Sequence, residues 1–545
     1  MNGENQSMVK QQIQELIEIG NISDAKRLLS EFEQKSKEVE DIELYTIRAS
    51  IAVAENNLQE AEGYLLEGLL IDSEYVDLLF NLGYIHKLRH NLVQSNYYFG
   101  QALRVASEVE LVNIIEDFIE DNRHVSSLTE KPLVSIVVLA YNKLSYTKLC
   151  VESILEYTQN VSYELILVNN GSTDETKQYF DSLPFAKPLH LIKNVGPTNG
   201  FNEGMRVAVG KYTACVCNDF IFTPRWLENL LLCIESDEKI GYVSPGASMI
   251  SNMQQINGDY NNLEEMIEFA ERYNHSDPRK WEERVRLLPC VLMVRTELLK
   301  QIDYFDPRFY YGEFADDDIS FRIRRAGYKL VYCKDTFTYH FGSVTVREDQ
   351  TNNNSLGISR DIFKAKYNLD SWIDTAFNLR LLNEISVKLS STHASILGIN
   401  TKCGSNPLQL KNMLKDKGIL NTHITNYCID KKYTKDIRTV SDDFFEGEID
   451  YLHKKLIGMK FDYIVFEYDS DHLNRSPQII GELSSLLNQS GQLALSLSYP
   501  EFDEVIMNKD VVILQNSGLT ISYYEVTAKN NSSEVELEII LRKDV

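Results

Sequence analysis

The stretch at 134–142, VSIVVLAYN, is an unbroken apolar run rich in β-branched residues that stops abruptly at polar ones. A strand buried on both faces reads this way. Two echoes follow, ELILVNNGSTD at 164–174 and KYTACVCNDF at 211–220, with helix-patterned sequence between them. The βαβαβ order predicts a parallel sheet covered by helices, and ligands of such sheets sit beyond the carboxyl ends of the strands. That rim carries Tyr141-Asn142, Asn169-Asn170-Gly171-Ser172 and Asn218-Asp219.

At 545 residues the chain exceeds one ordinary core, so three domains are expected. The longest apolar runs, such as IVVLA at 136–140, fall far short of a membrane span. The opening MNGENQSMVK lacks a basic-then-apolar leader pattern, so no membrane span and a cytoplasmic location are expected. Eight cysteines (150, 215, 217, 233, 290, 333, 403 and 428) lie in apolar segments without a CxxC pair. They are expected to be reduced, buried thiols. A formal charge of -25 argues against nucleic acid or an anionic bilayer as partner. A phosphorylated small molecule stays open, because one metal ion and a few backbone N–H groups reverse the local field.

Residues 1–122 contain no proline and show helical spacing of apolar residues. Asn21-Ile22-Ser23-Asp24-Ala25 recurs as Asn57-Leu58-Gln59-Glu60-Ala61 and as Asn91-Leu92-Val93-Gln94-Ser95. With Leu82-Gly83, Phe99 and Ala102, this part resembles three tetratricopeptide repeats. Small Ala25, Ala61 and Gly83 would let paired helices approach, with Leu65 and Phe99 filling between them. The resemblance implies either a scaffold or homodimer surface, or a concave dock for an acceptor protein. Arg123–Lys131 reads as a polar linker, and Pro132 opens the next domain.

Four pieces in order, VSIVVLAYNKLSYTKLCVESIL, ELILVNNGSTDET, NVGPTNGFNEGMRVAVGKY and FDPRFYYGEFADDDISFRIRRAGYKLVY, resemble a family-2 glycosyltransferase of the GT-A fold over 132–375. The resemblance implies donor contacts from Ala140, Tyr141 and Asn142, and from Asn169, Asn170 and Gly171. Asn169 stands where the family usually has Asp. The segment 194–204 reads as a Gly- and Asn-rich loop that brings backbone near a phosphate, with Asn199 and Asn202 as its contacts. Cys217-Asn218-Asp219 occupies the place of the DxD-type motif, so Asn218 and Asp219 face the donor and Asp219 holds a divalent cation, Mn²⁺ or Mg²⁺. Cys217 is a poor ligand for such a hard ion.

Within 314–319, Asp316 matches the base that takes the acceptor proton during inversion. Asp317 and Asp318 would orient basic groups or cap the helix, and Ala315 replaces the family's Glu. His340 is expected at the metal or a phosphate oxygen. Arg322, Arg324 and Arg325 are expected mostly to face solvent. Pro224 is expected in the first turn of a helix, 287–295 as a buried strand, and 252–283 as an irregular specificity segment. Residues 352–370 are expected to form an ordered covering loop.

Residues 382–545 resemble a class I methyltransferase through HASILGINTKCGS, FDYIVFEYDSDHL and PQIIGELSSLLNQSGQLALSLSYP. The turn at 398–404 lacks the family's GxGxG-like loop and acid. The expectation is a degenerate, non-catalytic Rossmann-like domain that does not take S-adenosylmethionine, with 503–545 adding antiparallel edge strands.

The expected fold class is therefore multidomain, α and α/β. The expected activity is inverting transfer of a sugar, N-acetylglucosamine first, from a nucleotide diphosphate to a Ser/Thr hydroxyl of a protein. The domain order resembles bacterial enzymes that glycosylate flagellin or other surface proteins in the cytoplasm. Two alternatives stand: extension of a cell-surface polysaccharide, and a non-catalytic scaffold, to which Cys217, Ala315 and Asn169 give weight.

Overall fold

In the computed structural model, which describes residues 3–35, 41–89, 91–127, 131–342, 353–387, 391–469, 478–528 and 534–543, the recurring asparagines start helices. The chain forms two compact units, one of residues 1–144, 163–195 and 200–211, the other of 145–162, 196–199 and 212–545.

The first unit begins with α1 (Gly3–Glu18), α2 (Ile22–Lys35), α3 (Glu43–Ala54), α4 (Leu58–Ile71), α5 (Val76–Leu88), α6 (Leu92–Val105) and α7 (Val109–Ser127). The first six pack as successive pairs. Asn21, Asn57 and Asn91 accept the N–H of Asp24, Glu60 and Gln94 at 3.4, 3.3 and 3.2 Å, capping the second helix of each pair. Such a cap contributes about 1 kcal/mol. Ala25, Ala61 and Ser95, four residues on, are fully buried. A Cβ on Gly83 would lie 2.7 Å from Phe99 Cε1, so only glycine lets that helix sit on the ring. The expected linker begins as helix instead: α7 runs to Ser127, because nothing from Arg123 to Ser127 breaks it. Residues 128–130 of that linker lie outside the described residues.

Next come β1 (Val134–Ala140), β2 (Tyr163–Asn169), α9 (Thr176–Asp181), β3 (Ala186–His190) and, from residue 200 on, α10 (Pro197–Val207); α8 (Leu144–Tyr157), between β1 and β2, and the first residues of α10 are counted with the second unit. The strands are parallel, with Val137 opposite Ile166 and Leu167 opposite Pro188. Strand β3, AKPLH, escapes a hydrophobicity reading because it is short, carries Lys and Pro, and is only partly buried. The expected loop at 194–204 is mostly the helix α10. Its glycines serve packing rather than a phosphate: a Cβ on Gly204 would lie 2.8 Å from Val168 Cγ2, and one on Gly200 would meet Leu139 at 2.6 Å. The paired helices attach to this layer through Gln94, whose buried amide donates to His190 O (3.0 Å) and accepts from His190 N (2.9 Å). Arg104 reaches Glu203 at 3.1 Å.

The second unit holds β4 (Tyr212–Cys217), β5 (Phe220–Ile221), α11 (Trp226–Glu235), β6 (Ile240–Ala247), α12 (Leu263–Tyr273), β7 (Trp281–Arg284), β8 (Leu292–Arg295), α13 (Thr296–Gln301), α14 (Ala315–Arg325) and β9 (Lys329–His340). Their order is β4-β8-β6-β9-β5, with β7 on β9. Only β6 and β9 run parallel in this set. Three expectations need correction. Only Leu292–Arg295 of the expected strand is a strand, since Pro289 lacks an N–H and Cys290 N turns back to Leu288 O at 3.1 Å. The segment at 252–283 is not irregular: Asn262 caps α12, whose Met266 and Ala270 pack with Ile221, Ile256 and Phe337. Pro224 precedes α11 rather than lying in its first turn, because Arg225, at φ +63°, interrupts the helical backbone.

The chain continues with β10 (His393–Ile399), β11 (Asn421–Cys428), β12 (Asp443–Glu446), β13 (Phe461–Asp469), β14 (Leu487–Tyr499), β15 (Thr520–Ala528) and β16 (Val535–Arg542). The order is β12-β11-β10-β13-β14-β16-β15, parallel through β14 and antiparallel beyond. The tail thus adds two antiparallel strands, but only β15 is at the edge. At the turn after β10, a Cβ on Gly398 would lie 2.5 Å from Pro407 Cγ and 3.1 Å from Thr401 Oγ1. This sheet is joined to the preceding segment by Asn412, which bonds Glu283 N and O at 3.1 and 2.9 Å.

Gly204→Ala is expected to cost about 1–3 kcal/mol in urea unfolding, because the methyl must displace packed strand side chains. Gly63→Ala, where a Cβ meets nothing within 4 Å, is expected instead to gain about 1 kcal/mol of helix propensity.

Candidate functional site

In the first unit, the ends of β1 and β2 are stitched to each other. Ala140 is buried, Tyr141 is exposed, and Asn142 takes φ +55°. Asn142 N donates to Ser172 Oγ, and Asn142 Oδ1 accepts from Thr173 N, both at 2.8 Å. Asn169 Oδ1 accepts from Ser172 N at 2.9 Å, while its Nδ2 lies 3.3 Å from His190 Nδ1. Asn170 Oδ1 accepts from Val195 N at 3.0 Å, and its Nδ2 donates to Asn194 Oδ1 at 3.1 Å. Gly171 (φ +70°) is needed where a Cβ would lie 2.5 Å from Asn194 N. Asp174 accepts from Leu144 N at 3.1 Å. Burial works against its ionisation, yet the bonds from Thr176 and Leu144 hold its carboxyl below the usual range. Asn169, expected to read the base, therefore has both ends of its amide engaged at home, one of them toward a histidine that an Asp could not donate to. Asn202 is buried on α10.

The second unit brings together the remaining expected residues. Asn218 Nδ2 donates to Thr147 Oγ1 at 2.8 Å. Asp219 is 8% exposed; its Oδ2 lies 3.4 Å from His340 Nε2, and its Oδ1 is buried with no hydrogen-bond partner among the described residues. Leaving such an oxygen unsatisfied costs about 1–3 kcal/mol, which is what a bound cation would relieve. His340 stacks on Phe220 (4.3 Å between centroids), and its Nδ1 lies 2.6 Å from Met249 O. A proton on Nδ1 serves that carbonyl and leaves Nε2 facing Asp219. Burial pulls the imidazole pKa down, but the Asp219 carboxylate and the Met249 carbonyl raise it above the ordinary value. One carboxylate and one imidazole fit a divalent cation whose remaining ligands are phosphate oxygens and water. Among the described residues no group of three or more His, Cys, Asp or Glu could hold a metal by itself. Burial and the nearby Asp219 charge push the Cys217 thiol up, so it stays protonated and outside any such set.

The three acids begin α14, reached through Gly312 (φ +93°) and Phe314 (φ +61°). Residues 196–199 rest on this turn: Thr198 Oγ1 donates to Phe309 O, and a Cβ on Gly312 would lie 3.0 Å from Pro197 Cγ. Asn199 is half-buried in the same segment. Asp317, buried, pairs with Arg286 at 3.0 Å and accepts from Ser371 Oγ. Asp318, buried, takes Arg322 Nε at 2.7 Å, Tyr367 Oη at 2.8 Å and Lys366. Asp316 has no ion pair or side-chain hydrogen bond among the described residues. Desolvation, then the Asp317 charge, push its carboxyl up to about 8, with Arg286 pulling the other way. A carboxyl tuned there can exchange a proton near neutral pH.

Of the helix's arginines, Arg325 is exposed as expected, Arg322 is half-buried and Arg324 is buried. Arg324 is 1% exposed, and Arg324 and Arg325 both reach Asp436, at 3.4 and 2.7 Å. The described part of the expected covering loop is largely a helix, Ser355–Tyr367, which delivers Lys366 and Tyr367 to Asp318; residues 343–352 lie outside the described residues. Arg286, Ser371 and Thr147 were missed, since lone polar residues near apolar runs carry no signal of their partners.

Residues 135–295 match Glycosyl transferase family 2. The match takes in Asn142, Asn169 and Asp219 and ends before α14 and His340. An uncharacterized glycosyltransferase of Haemophilus influenzae is 34% identical over 113 residues, covering 20% of this chain and 35% of the relative. The uncharacterized glycosyltransferase YibD of Escherichia coli is 33% identical over 109 residues (19% and 31%). YwdF of Bacillus subtilis, likewise an uncharacterized glycosyltransferase, is 30% identical over 175 residues (32% and 62%). The chain spans only 16% to 35% of the length of the first curated relatives it matches. A solved structure of Staphylococcus aureus TarS 1–349 with UDP-GlcNAc is 16% identical, covers 44% of this chain and 74% of that one, and superposes with a TM-score of 0.30, too partial to argue from. No helix among the described residues is long and apolar enough to cross a membrane.

Because the folded chain holds the Asp316 proton more tightly than the unfolded chain does, this group favours folding below about pH 4, and that contribution drains away as pH rises from there to about 8. Asp316→Asn is therefore expected to raise Tm more at pH 8.5 than at pH 5, read by thermal unfolding; equal shifts at both would show an ordinary carboxyl. Asp219→Asn is expected to weaken Mn²⁺ affinity at least about tenfold in an EPR titration, through loss of the charged oxygen ligand.

Proposed function

We propose that this chain transfers a sugar, with inversion, from a nucleotide diphosphate donor to a hydroxyl. UDP-N-acetylglucosamine is the leading donor, and a Ser/Thr of a protein such as flagellin, met in the cytoplasm, is the leading acceptor. The observation that carries this reading is the contrast within α14: Asp317 and Asp318 are tied to cations, while Asp316 has only backbone hydrogen bonds among the described residues and a raised pKa. Asp316 takes the acceptor's proton as the hydroxyl oxygen bonds to the anomeric carbon, and the bond to the diphosphate oxygen breaks on the opposite face. Asp219 and His340 would hold a divalent cation, Mn²⁺ or Mg²⁺, which supplies positive charge for the departing diphosphate. Asn218, held by Thr147, fixes the turn that presents Asp219. Asn142, Asn169, Asn170 and Gly171 shape the donor side chiefly through backbone, since their amides brace one another's loops.

The paired helices α1–α6 support a tetratricopeptide-like acceptor dock, with a homodimer surface as the other use of the same face. The crowding at Gly398 supports a Rossmann-like domain that does not take S-adenosylmethionine. A non-catalytic scaffold is favoured by one observation, the engaged Asn169 amide.

A thermal-shift panel of nucleotide sugars with and without Mn²⁺ tests the donor; UDP-N-acetylglucosamine with Mn²⁺ is expected to raise Tm most. Incubation with flagellin should then add an N-acetylhexosamine mass, and Asp316→Asn should abolish transfer while keeping the donor shift. No donor shift and no donor hydrolysis in any condition would leave the scaffold reading standing.

A further inference from the structure

Helix α14 is held at both ends by the C-terminal sheet domain. At its last turn, Asp436, fully buried on the short helix Thr434–Ile437 between β11 and β12, meets both arginines. Arg325 binds it through two nitrogens, Nε at 3.0 Å and Nη2 at 2.7 Å. Arg324 donates to Asp436 O at 3.1 Å and to Thr439 Oγ1 at 2.6 Å. The two guanidinium groups also lie over aromatic faces, Arg324 over Phe321 and Arg325 over Tyr367, each at 4.7 Å. Three residues before Asp436, Tyr433 Oη donates to Asp374 Oδ1 at 2.8 Å, and Cys403 N donates to Asp374 O at 3.2 Å. Asp374 ends the helical turn Ser371–Asp374, whose Ser371 hydroxyl donates to Asp317 at the other end of α14. One stretch of the C-terminal domain therefore reaches the last turn of α14 directly and its first turn through Asp374 and Ser371. A helix is a stiff rod, so fixing both ends fixes the side chain at its first turn. Asp436 is buried and takes Arg325 in bidentate fashion and the buried Arg324 through one nitrogen, a geometry that a neutral amide does not reproduce.

We propose that the C-terminal Rossmann-like domain is the seat of α14, with Asp436 a positioning residue that sets where Asp316 stands. This rests on the reading of Asp316 as the base. The groups that face Asp316 are Asp317 on its own helix, Arg286 from the segment before β8, and Tyr242 on β6. Their distances from Asp316, and its shielding from water, change if the rod shifts.

The test uses the full chain with Asp436→Asn and Asp436→Glu. Asp436→Asn is expected to lower kcat at least about tenfold with donor KM within about twofold, since small misplacements of a reacting group cost rate more than binding. The acid limb of its kcat–pH profile should move to lower pH as Asp316 gains water, and Asp436→Glu should recover part of both effects. Carboxyl-carbon NMR, with the Asp316 signal assigned by its loss in Asp316→Asn, follows the same titration without turnover. A kcat that falls only with the folded fraction seen by circular dichroism, with the Asp316 titration unmoved, overturns the seat. Persistent transfer by Asp316→Asn would instead overturn the reading of the base, while the NMR titration still decides whether Asp436 positions the helix.

Discussion

A carboxylate removed from water must be paired or must keep its proton, and two of them, Asp317 and Asp318, are buried side by side in the first turn of one helix here. Much of the second unit can be read as the answer to that constraint. Asp317 draws in Arg286 and Ser371, and Asp318 draws in Arg322, Lys366 and Tyr367. Stripping one partner from such a buried pair typically costs about 3–5 kcal/mol, so these contacts lock distant segments around α14. Asp316, beside them without an ion-pair partner among the described residues, has its carboxyl pushed up to about 8 instead, by desolvation and the Asp317 charge.

The β1 and β2 rim and the Asp219 turn, each in its own unit, are built differently. The β1 and β2 rim is self-sufficient: Asn142, Asn169 and Asn170 satisfy backbone groups of neighbouring loops and so make a rigid edge. The Asp219 turn is deliberately unfinished, with one carboxylate oxygen buried and unmatched among the described residues beside His340.

The features legible beforehand share one property, that the signal is local. The runs at β1, β2 and β4 are apolar in their own right, and the asparagines at 21, 57 and 91 sit beside the helix starts they cap. What stayed hidden depends on partners far along the chain. Arg324 and Arg325 read as a solvated face because Asp436, which pairs with them, lies more than a hundred residues on. Gly200 and Gly204 made α10 look like a loop, since helix propensity counts against glycine and says nothing of the strands it must approach. Asn169 kept its place on the rim but not its expected freedom, because His190 arrives on a strand too short and polar to be seen.

Strand β3 pairs with β2 on one side only, and a strand with an open side is a template for joining another chain. Gln94 closes that side at His190 with a side-chain amide that imitates a neighbouring strand's peptide group. The amino-terminal helices therefore also act as a guard against self-association. A shortened chain starting at Pro132 would keep every expected catalytic residue yet bare this edge, and clumping rather than lost chemistry would be its first fault.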